Sequence, residues 1–153
     1  MIKLERILIP TDFSESSEQA RTYACELARR FHAEIHLLHV AAPIMPPGYM
    51  GAVPAVPQEW LHPEENARRE LEEWNDPDFE HAKGVVRSAI AGTPFIEIVR
   101  YARDREIDLI VMGTHGHSAV AQALIGSVAE RVVRKAPCPV LTVRLHGHQF
   151  VMP

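Results

Sequence analysis

Cysteine is scarce: the chain has two, Cys25 and Cys138, among 153 residues. Cys25 falls in a helical pattern and Cys138 between two prolines, so both are expected as reduced thiols rather than a disulfide framework. Positive charge is not in excess, since 16 Lys and Arg face 20 Asp and Glu for a formal net charge of −4. That argues against a nucleic-acid binder working through a broad basic surface. No apolar run approaches the length that spans a bilayer, so no membrane partner is expected. The opening Met-Ile-Lys-Leu-Glu-Arg leads straight into a strand pattern and has no signal-peptide layout, and the two reduced thiols are those expected of a cytoplasmic protein. No lysine occurs between Lys83 and Lys135, and there is no Gly-x4-Gly-Lys-Ser/Thr loop. The usual lysine that grips phosphates in a P-loop enzyme is therefore missing.

What is present is an ordinary globular composition, 46% hydrophobic and 24% charged, at a length suited to a single domain over 1–153. Arg6-Ile-Leu-Ile-Pro10 reads as a buried first strand, followed by a turn at Thr11-Asp12-Phe13-Ser14. Ser14 suits an N-cap. Ala20, Tyr23, Ala24, Leu27, Ala28 and Phe31 then recur at helical spacing, predicting a helix over 15–31. Glu34 to Val40 is the second strand. Residues 41–62 carry Pro43, Pro46, Pro47, Pro54 and Pro57, which exclude a regular element. The same loop holds Ile44, Met45, Tyr49, Met50, Val53 and Trp60, so it suits folding back on the domain, a lid or a subunit contact.

From Pro63 to about Asp76 a charged helix is expected, with Ala67, Leu71 and Trp74 as its apolar stripe. Glu64/Arg68 and Glu65/Arg69 are in the favourable order for i,i+4 pairs. Lys83 to Ile90 is a third strand whose mixed character suits a sheet edge. Thr93 and Pro94 open a helix whose face is Phe95, Ile98, Val99 and Ala102. Leu109-Ile-Val-Met112 is continuous enough for a fully buried parallel strand. Ser127-Val-Ala-Glu130 reads as a capping box, and Val128, Ala129, Val132, Val133 and Ala136 as the inward face of the last helix. Val140 to Val143 is the fifth strand, and 145–153 a short tail.

This alternation predicts an α/β fold: a single open five-stranded parallel sheet, order 3-2-1-4-5, with helices on both faces, Rossmann-like. Strands one and four then lie side by side with connections leaving in opposite directions, which opens a crevice at their carboxyl ends. The Asp12 turn and Gly113-Thr-His-Gly116 both fall there. After nine intervening residues Gly116 is followed by Gly126-Ser127 and a helix start. Glycine loops and helix N-termini together make a phosphate cradle, through close backbone N–H groups and a partial positive charge.

The chain resembles the universal stress protein family, in particular its ATP-binding branch. The likeness runs through Ile7-Leu-Ile-Pro-Thr-Asp12-Phe-Ser, Asp108-Leu-Ile-Val-Met-Gly113-Thr-His-Gly116, Gly126-Ser127-Val128 and Pro137-Cys-Pro-Val-Leu-Thr-Val143. The spacing Gly-x2-Gly-x9-Gly-Ser is that family's nucleotide-binding pattern. The resemblance implies an adenine nucleotide alpha hydrolase-like fold and a bound ATP, with which Mg²⁺ could arrive. It implies that Pro10, Thr11 and Asp12 face the adenosine, Val40 lines the adenine slot, and Met112 and Gly113 lie under the ribose and nearby phosphate. Gly116, His117, Gly126, Ser127 and Val128 would wrap the phosphates. It also implies a homodimer through Val140–Val143, an edge strand that needs a partner or protection.

Plainer readings stand beside these. Asp12 also suits a simple helix cap, Ser127 a cap that touches phosphate as well, and Gly126 a turn. His115 and His117 form His-x-His on a loop, short of a metal site without further ligands. His36 and His39 read as structural. The function expected is a nucleotide-dependent regulatory or protective factor in stress response. The alternatives are a slow ATPase or nucleotidyl-transfer enzyme, and a nucleotide-free scaffold of the same fold. No catalytic residue and no metal ligand is assigned.

Overall fold

A computed structural model describes residues 1–42, 62–116 and 125–145. The proline-rich loop over 43–61, His117 and the tail from 146 lie outside the described residues. The elements are β1 (Arg6–Thr11), α1 (Glu15–Phe31), β2 (Glu34–Ala41), α2 (Pro63–Glu73), a short 3-10 helix (Pro77–His81), β3 (Gly84–Ala91), α3 (Pro94–Asp104), β4 (Leu109–Gly113), α4 (Ser127–Lys135) and β5 (Val140–Val143). The sheet has five strands in the order β3-β2-β1-β4-β5, as the alternation predicts. Every pairing is parallel.

β1 sits at the centre because its side chains are apolar on both faces. Ile7 and Ile9 point to one side, where they meet Ala20, Ala24 and Ala28 of α1 and Leu71 and Trp74 of α2. Leu8 points to the other, with Leu38, Val40, Ile110 and Met112, against Ile98 and Ala102 of α3 and Ala129 and Val132 of α4. Alternation along each strand thus divides the core in two, one half under each helical layer. Alanine on the inner stripe of α1 lets the helix lie close to the sheet.

Five local expectations are corrected. Tyr23 and Phe31 are 54% and 51% exposed, so they are not part of the inner face of α1. Tyr23 lies off the stripe made by Ala20, Ala24 and Ala28, while Phe31 is the helix's last residue; Ser16, Ser17 and Cys25 are buried instead. Val133 is likewise 48% exposed, leaving Ala129 and Val132 as the buried residues of α4. Ser127 is the first residue of α4, not its cap: the N-cap is Gly126, which has no side chain to offer. α2 ends at Glu73, and the chain then turns through the 3-10 helix, which buries Phe79. Neither Glu64/Arg68 nor Glu65/Arg69 pairs among the described residues; Glu64 instead accepts the Ala91 N–H at 3.2 Å, tying α2 to the end of β3.

The two cysteine thiols are free. Burial pushes Cys25 up to about 12, with Asp76 and Asp78 adding to it, and burial also raises Cys138. Ser14 caps α1 as expected, its side chain accepting the Ser17 N–H.

His36 is buried and structural, but it belongs to a polar chain rather than packing as an apolar ring. Its Nδ1 lies 2.9 Å from the Tyr101 hydroxyl and its Nε2 2.8 Å from Glu34 Oε1. Ser88 Oγ extends the chain, 3.2 Å from Tyr101. Burial holds the imidazole below its ordinary value of 6.5, outweighing the opposing pull of Glu34. The neutral ring then donates from Nε2 to the carboxylate and accepts the tyrosine proton at Nδ1. Because the native state resists a proton that the unfolded chain takes up, this stabilisation is present above the unfolded pKa and is lost as the pH falls through the native one. The urea midpoint should therefore drop as the pH is lowered from neutrality to about 5, and His36→Gln should flatten that dependence. An unchanged slope in a folded variant would show that other groups carry it.

Candidate functional site

β1 and β4 lie side by side where the sheet order reverses, and their pairing ends at Leu8 and Ile110. The loops beyond their carboxyl ends are held by contacts that leave no room for side chains at the glycines. The first loop is the β1–α1 turn. Asp12 Oδ1 accepts the Ser14 N–H at 3.1 Å and the Ser17 hydroxyl at 2.7 Å, so the aspartate shapes the helix start. Phe13 holds a left-handed backbone, φ 61°, which a bulky residue rarely adopts. Its ring is clasped by His39 at 4.7 Å and, edge on, by Trp74 at 5.9 Å. His39 Nδ1 also donates to the Thr11 carbonyl at 2.8 Å. The strained turn is thus pinned from β2 and from the end of α2.

The second loop follows β4. Thr114 is buried and anchors it: its N–H donates to the Val143 carbonyl at 3.0 Å, and its own carbonyl accepts the Gly126 N–H at 2.6 Å. Its hydroxyl lies 2.9 Å from His115 Nδ1. Residues far apart in sequence are thereby closed onto each other, and the start of α4 is brought beside Gly113-Thr-His-Gly116.

The glycines mark the places of closest approach. A Cβ on Gly113 would strike Ser16 Oγ and come within 2.8 Å of the Ser16 carbonyl oxygen in α1. One on Gly116 would strike Asp12 Oδ2. One on Gly126 would meet the Thr114 carbonyl oxygen at 3.0 Å. Gly126 itself is extended, φ −72° and ψ 159°, so space rather than torsion demands glycine there. The structure therefore brings Asp12, Gly113, Gly116, Gly126 and Ser127 together. Thr11 is buried at the end of β1, paired with His39 of β2. Pro10 precedes it, also buried, in register with Leu38. Val40 and Met112 share one half of the core, with Val128 packed against it. Arg131, an arginine within reach in sequence, turns its guanidinium over the Phe95 ring of α3, 5.0 Å from the centroid.

The arrangement has two chemically different ends. At one, Asp12 offers carboxylate oxygens, which accept hydrogen bonds and repel anions. At the other, α4 opens on Gly126 with the exposed Ser127 at its first position. The first N–H groups of a helix have no partner within it and carry a partial positive charge. The Gly126 N–H is already given to Thr114, so the donors there belong to Ser127 and the residues after it. Among the described residues no group of His, Cys, Asp and Glu is gathered to hold a metal ion. Reading the sequence missed Thr114, Ser16 and Phe13 as builders of this site. Thr114 lay in plain view between two predicted site residues, while the role of Ser16 depends on helix α1 crossing β4.

An open parallel sheet of order β3-β2-β1-β4-β5 with helices on both faces defines a Rossmann-like α/β protein. Residues 3–144 match the universal stress protein family, and the chain belongs to that family. It is 34% identical over 147 residues to the universal stress protein MJ0531 of Methanocaldococcus jannaschii, covering 92% of this chain and 82% of that one. Against MJ0577 of the same organism the identity is 31% over 163 residues, covering 94% and 96%. The solved structure of MJ0577 superposes with a TM-score of 0.71 at 28% identity, over 96% of this chain and 100% of that one. A universal stress protein solved in complex with cAMP shares the fold, with a TM-score of 0.69 at 24% identity over 94% and 99%.

Gly113→Ala should lower stability by about 1–3 kcal/mol, because the Ser16 backbone beneath it cannot swing aside. Gly84→Ala, whose added Cβ meets Glu34 no closer than 3.6 Å, should cost far less. Equal urea midpoints for the two variants would refute the close packing of β4 against α1.

Proposed function

We propose that the crevice binds an adenine nucleotide, ATP above all, and that the protein acts as a nucleotide-dependent regulatory or protective factor. The observation that carries this reading is the convergence of Asp12 and the start of α4 on one glycine loop, with Asp12 Oδ2 against Gly116 and Gly126 bonded to Thr114. A simple anion gains nothing from a neighbouring carboxylate. A ligand with a neutral, hydrogen-bond-donating end and an anionic end fits both halves, and a nucleotide is such a ligand. The sugar hydroxyls or base amine would donate toward Asp12, beside Pro10 and Thr11. Val40 and Met112, near the carboxyl ends of the two strands that flank β1, would supply apolar surface for the base and ribose. The phosphates would lie at Gly113, Gly116 and the first turn of α4, receiving the N–H groups of Ser127 and Val128 and the Ser127 hydroxyl. His117, the residue after Gly116 in the sequence, is a further candidate phosphate neighbour on the family resemblance alone. Support from relatives is of the same kind: a protein of this fold is known in complex with cAMP.

Mg²⁺ would arrive with the nucleotide. The carboxylate of the crevice, Asp12, is committed on one oxygen to the helix start. We therefore propose a holder of ATP whose shape or partner changes with occupancy, rather than an enzyme of rapid turnover. No described helix is long and apolar enough to cross a membrane; we propose a cytoplasmic setting, in keeping with the two free thiols, and no nucleic-acid partner, in keeping with the charge balance.

Nucleotide analysis of the denatured, gently purified protein should find ATP, and calorimetry on the stripped protein should show saturable binding. Gly126→Val should abolish both, since its side chain presses on Thr114 and covers the approach to α4. No ATP and no heat at millimolar nucleotide, or undiminished affinity in a folded Gly126→Val variant, would refute the reading. Single-turnover chemistry much faster than nucleotide release would replace it with an enzyme.

We also propose a homodimer through Val140–Val143. β5 is one of the sheet's two edge strands, and Leu141 on it is 36% exposed. Light scattering should give twice the chain mass, and Leu141→Lys should shift the protein toward monomer. A wild-type monomer at high concentration would rule the dimer out.

A further inference from the structure

At the opposite edge of the sheet from β5, a cavity of about 380 Å³ opens beside β3. Arginines reach it from three elements: Arg68 from α2, Arg87 from β3 itself, and Arg100 and Arg105 from the end of α3. Because α2 and α3 cover opposite faces, these guanidinium groups close around the edge strand from both sides. Such a gathering of like charges is costly unless something negative answers it.

The protein itself answers only part of it. Two carboxylates line the cavity, Glu97 and Asp104. Glu97 is occupied by Arg100, which grips both its oxygens at 2.8 Å. Asp104 is bonded by Arg103, which is not part of the lining, at 3.2 Å. Arg87 is held by the Leu71 carbonyl at 3.1 Å and Asn75 Oδ1 at 3.3 Å, both neutral. Arg105 lies over the Tyr101 ring, 5.5 Å from its centroid. Arg68, Arg87 and Arg105 make no ion pair among the described residues. The floor is rigid: Tyr101 is 6% exposed and is held by His36 and Ser88, the latter also lining the cavity.

We propose that this cavity is a second ligand site, for a small dianion, set on arginines from both faces of the sheet and separate from the crevice at Asp12 and Ser127. Guanidinium forks match the oxygen pairs of phosphate and carboxylate groups. The volume lies within the range of about 300–1,000 Å³ typical of small-molecule sites. Arginine at a strand edge also discourages pairing with another chain, but guarding an edge calls for neither a cavity nor a buried hydroxyl floor. The inference does not rest on nucleotide binding, since β3 and the crevice lie on different strands of the sheet.

The test is a ¹H–¹⁵N NMR titration with inorganic phosphate and, in a second arm, succinate, each against sodium chloride at matched ionic strength. Saturable shifts should appear at the amides of Ser88, Ala89 and Ile90 and at arginine Nε–H signals. The Arg68→Gln/Arg105→Gln variant should weaken the binding by about tenfold; the pair is solvent-exposed and its loss should leave the fold intact. If that variant unfolds, Arg68→Lys/Arg105→Lys keeps the charge, removes the forks and should still weaken binding. Saturation by phosphate alone identifies a phosphoryl group, and by both probes a dianion in general; either supports the proposal. Shifts confined to Gly113–Gly116 and Ser127, no saturation beyond the chloride control, or equal affinity in a folded double variant would overturn it.

Discussion

The burial of β1 on both faces is the constraint on which the rest depends. Ile7, Leu8 and Ile9 have no contact with solvent, so neither face of the strand can be left open. Helices must cover both sides, and the chain must leave β1 in one direction and approach β4 in the other. The split that results at the carboxyl ends of these two strands is where a ligand can enter without disturbing the core. A polar residue in place of Ile7 or Leu8 would therefore damage the crevice by way of the fold, not by way of the ligand.

The loops at the crevice pack closely, against backbone at Gly113 and Gly126 and against a carboxylate at Gly116. Gly113 rests on α1 through Ser16, Gly116 faces Asp12, and Gly126 is bonded to Thr114. Each glycine thus has a packing reason, and these reasons do not compete with a ligand role: they build the wall that a ligand would touch. The same economy of space is absent at the β3 edge, where long arginine side chains, not backbone, surround the opening.

Much of the architecture was legible because it follows from periodicity. β1, β4 and the buried stripe of α2 are apolar at the spacings that strands and helices impose, and the strand order followed from the alternation of elements. The convergence of the Asp12 turn and the glycine loop was legible in outline because glycines at fixed distances from a strand end and a helix start have a local meaning. What could not be read were properties of three-dimensional neighbours. Tyr23 and Val133 match the helical period yet lie outside, because the period names a stripe but not its width. Ser127 resembled a cap, yet Gly126 takes that place, since a boundary shift of one residue exchanges cap for first turn. The arginines around β3 are scattered through the sequence and gather only once α2 and α3 have folded over opposite faces.

The left-handed Phe13 has one more consequence. Its backbone would relax if the His39 and Trp74 rings released it, and Asp12 is the adjacent residue. Trp74 is in turn covered by the Arg21 guanidinium, 4.6 Å from its ring, and Arg21 is paired with Asp76 at 3.0 Å. The turn behaves as a sprung hook whose catch is the far end of α2. Damage to that catch, well away from the crevice, would be felt as a misplaced aspartate.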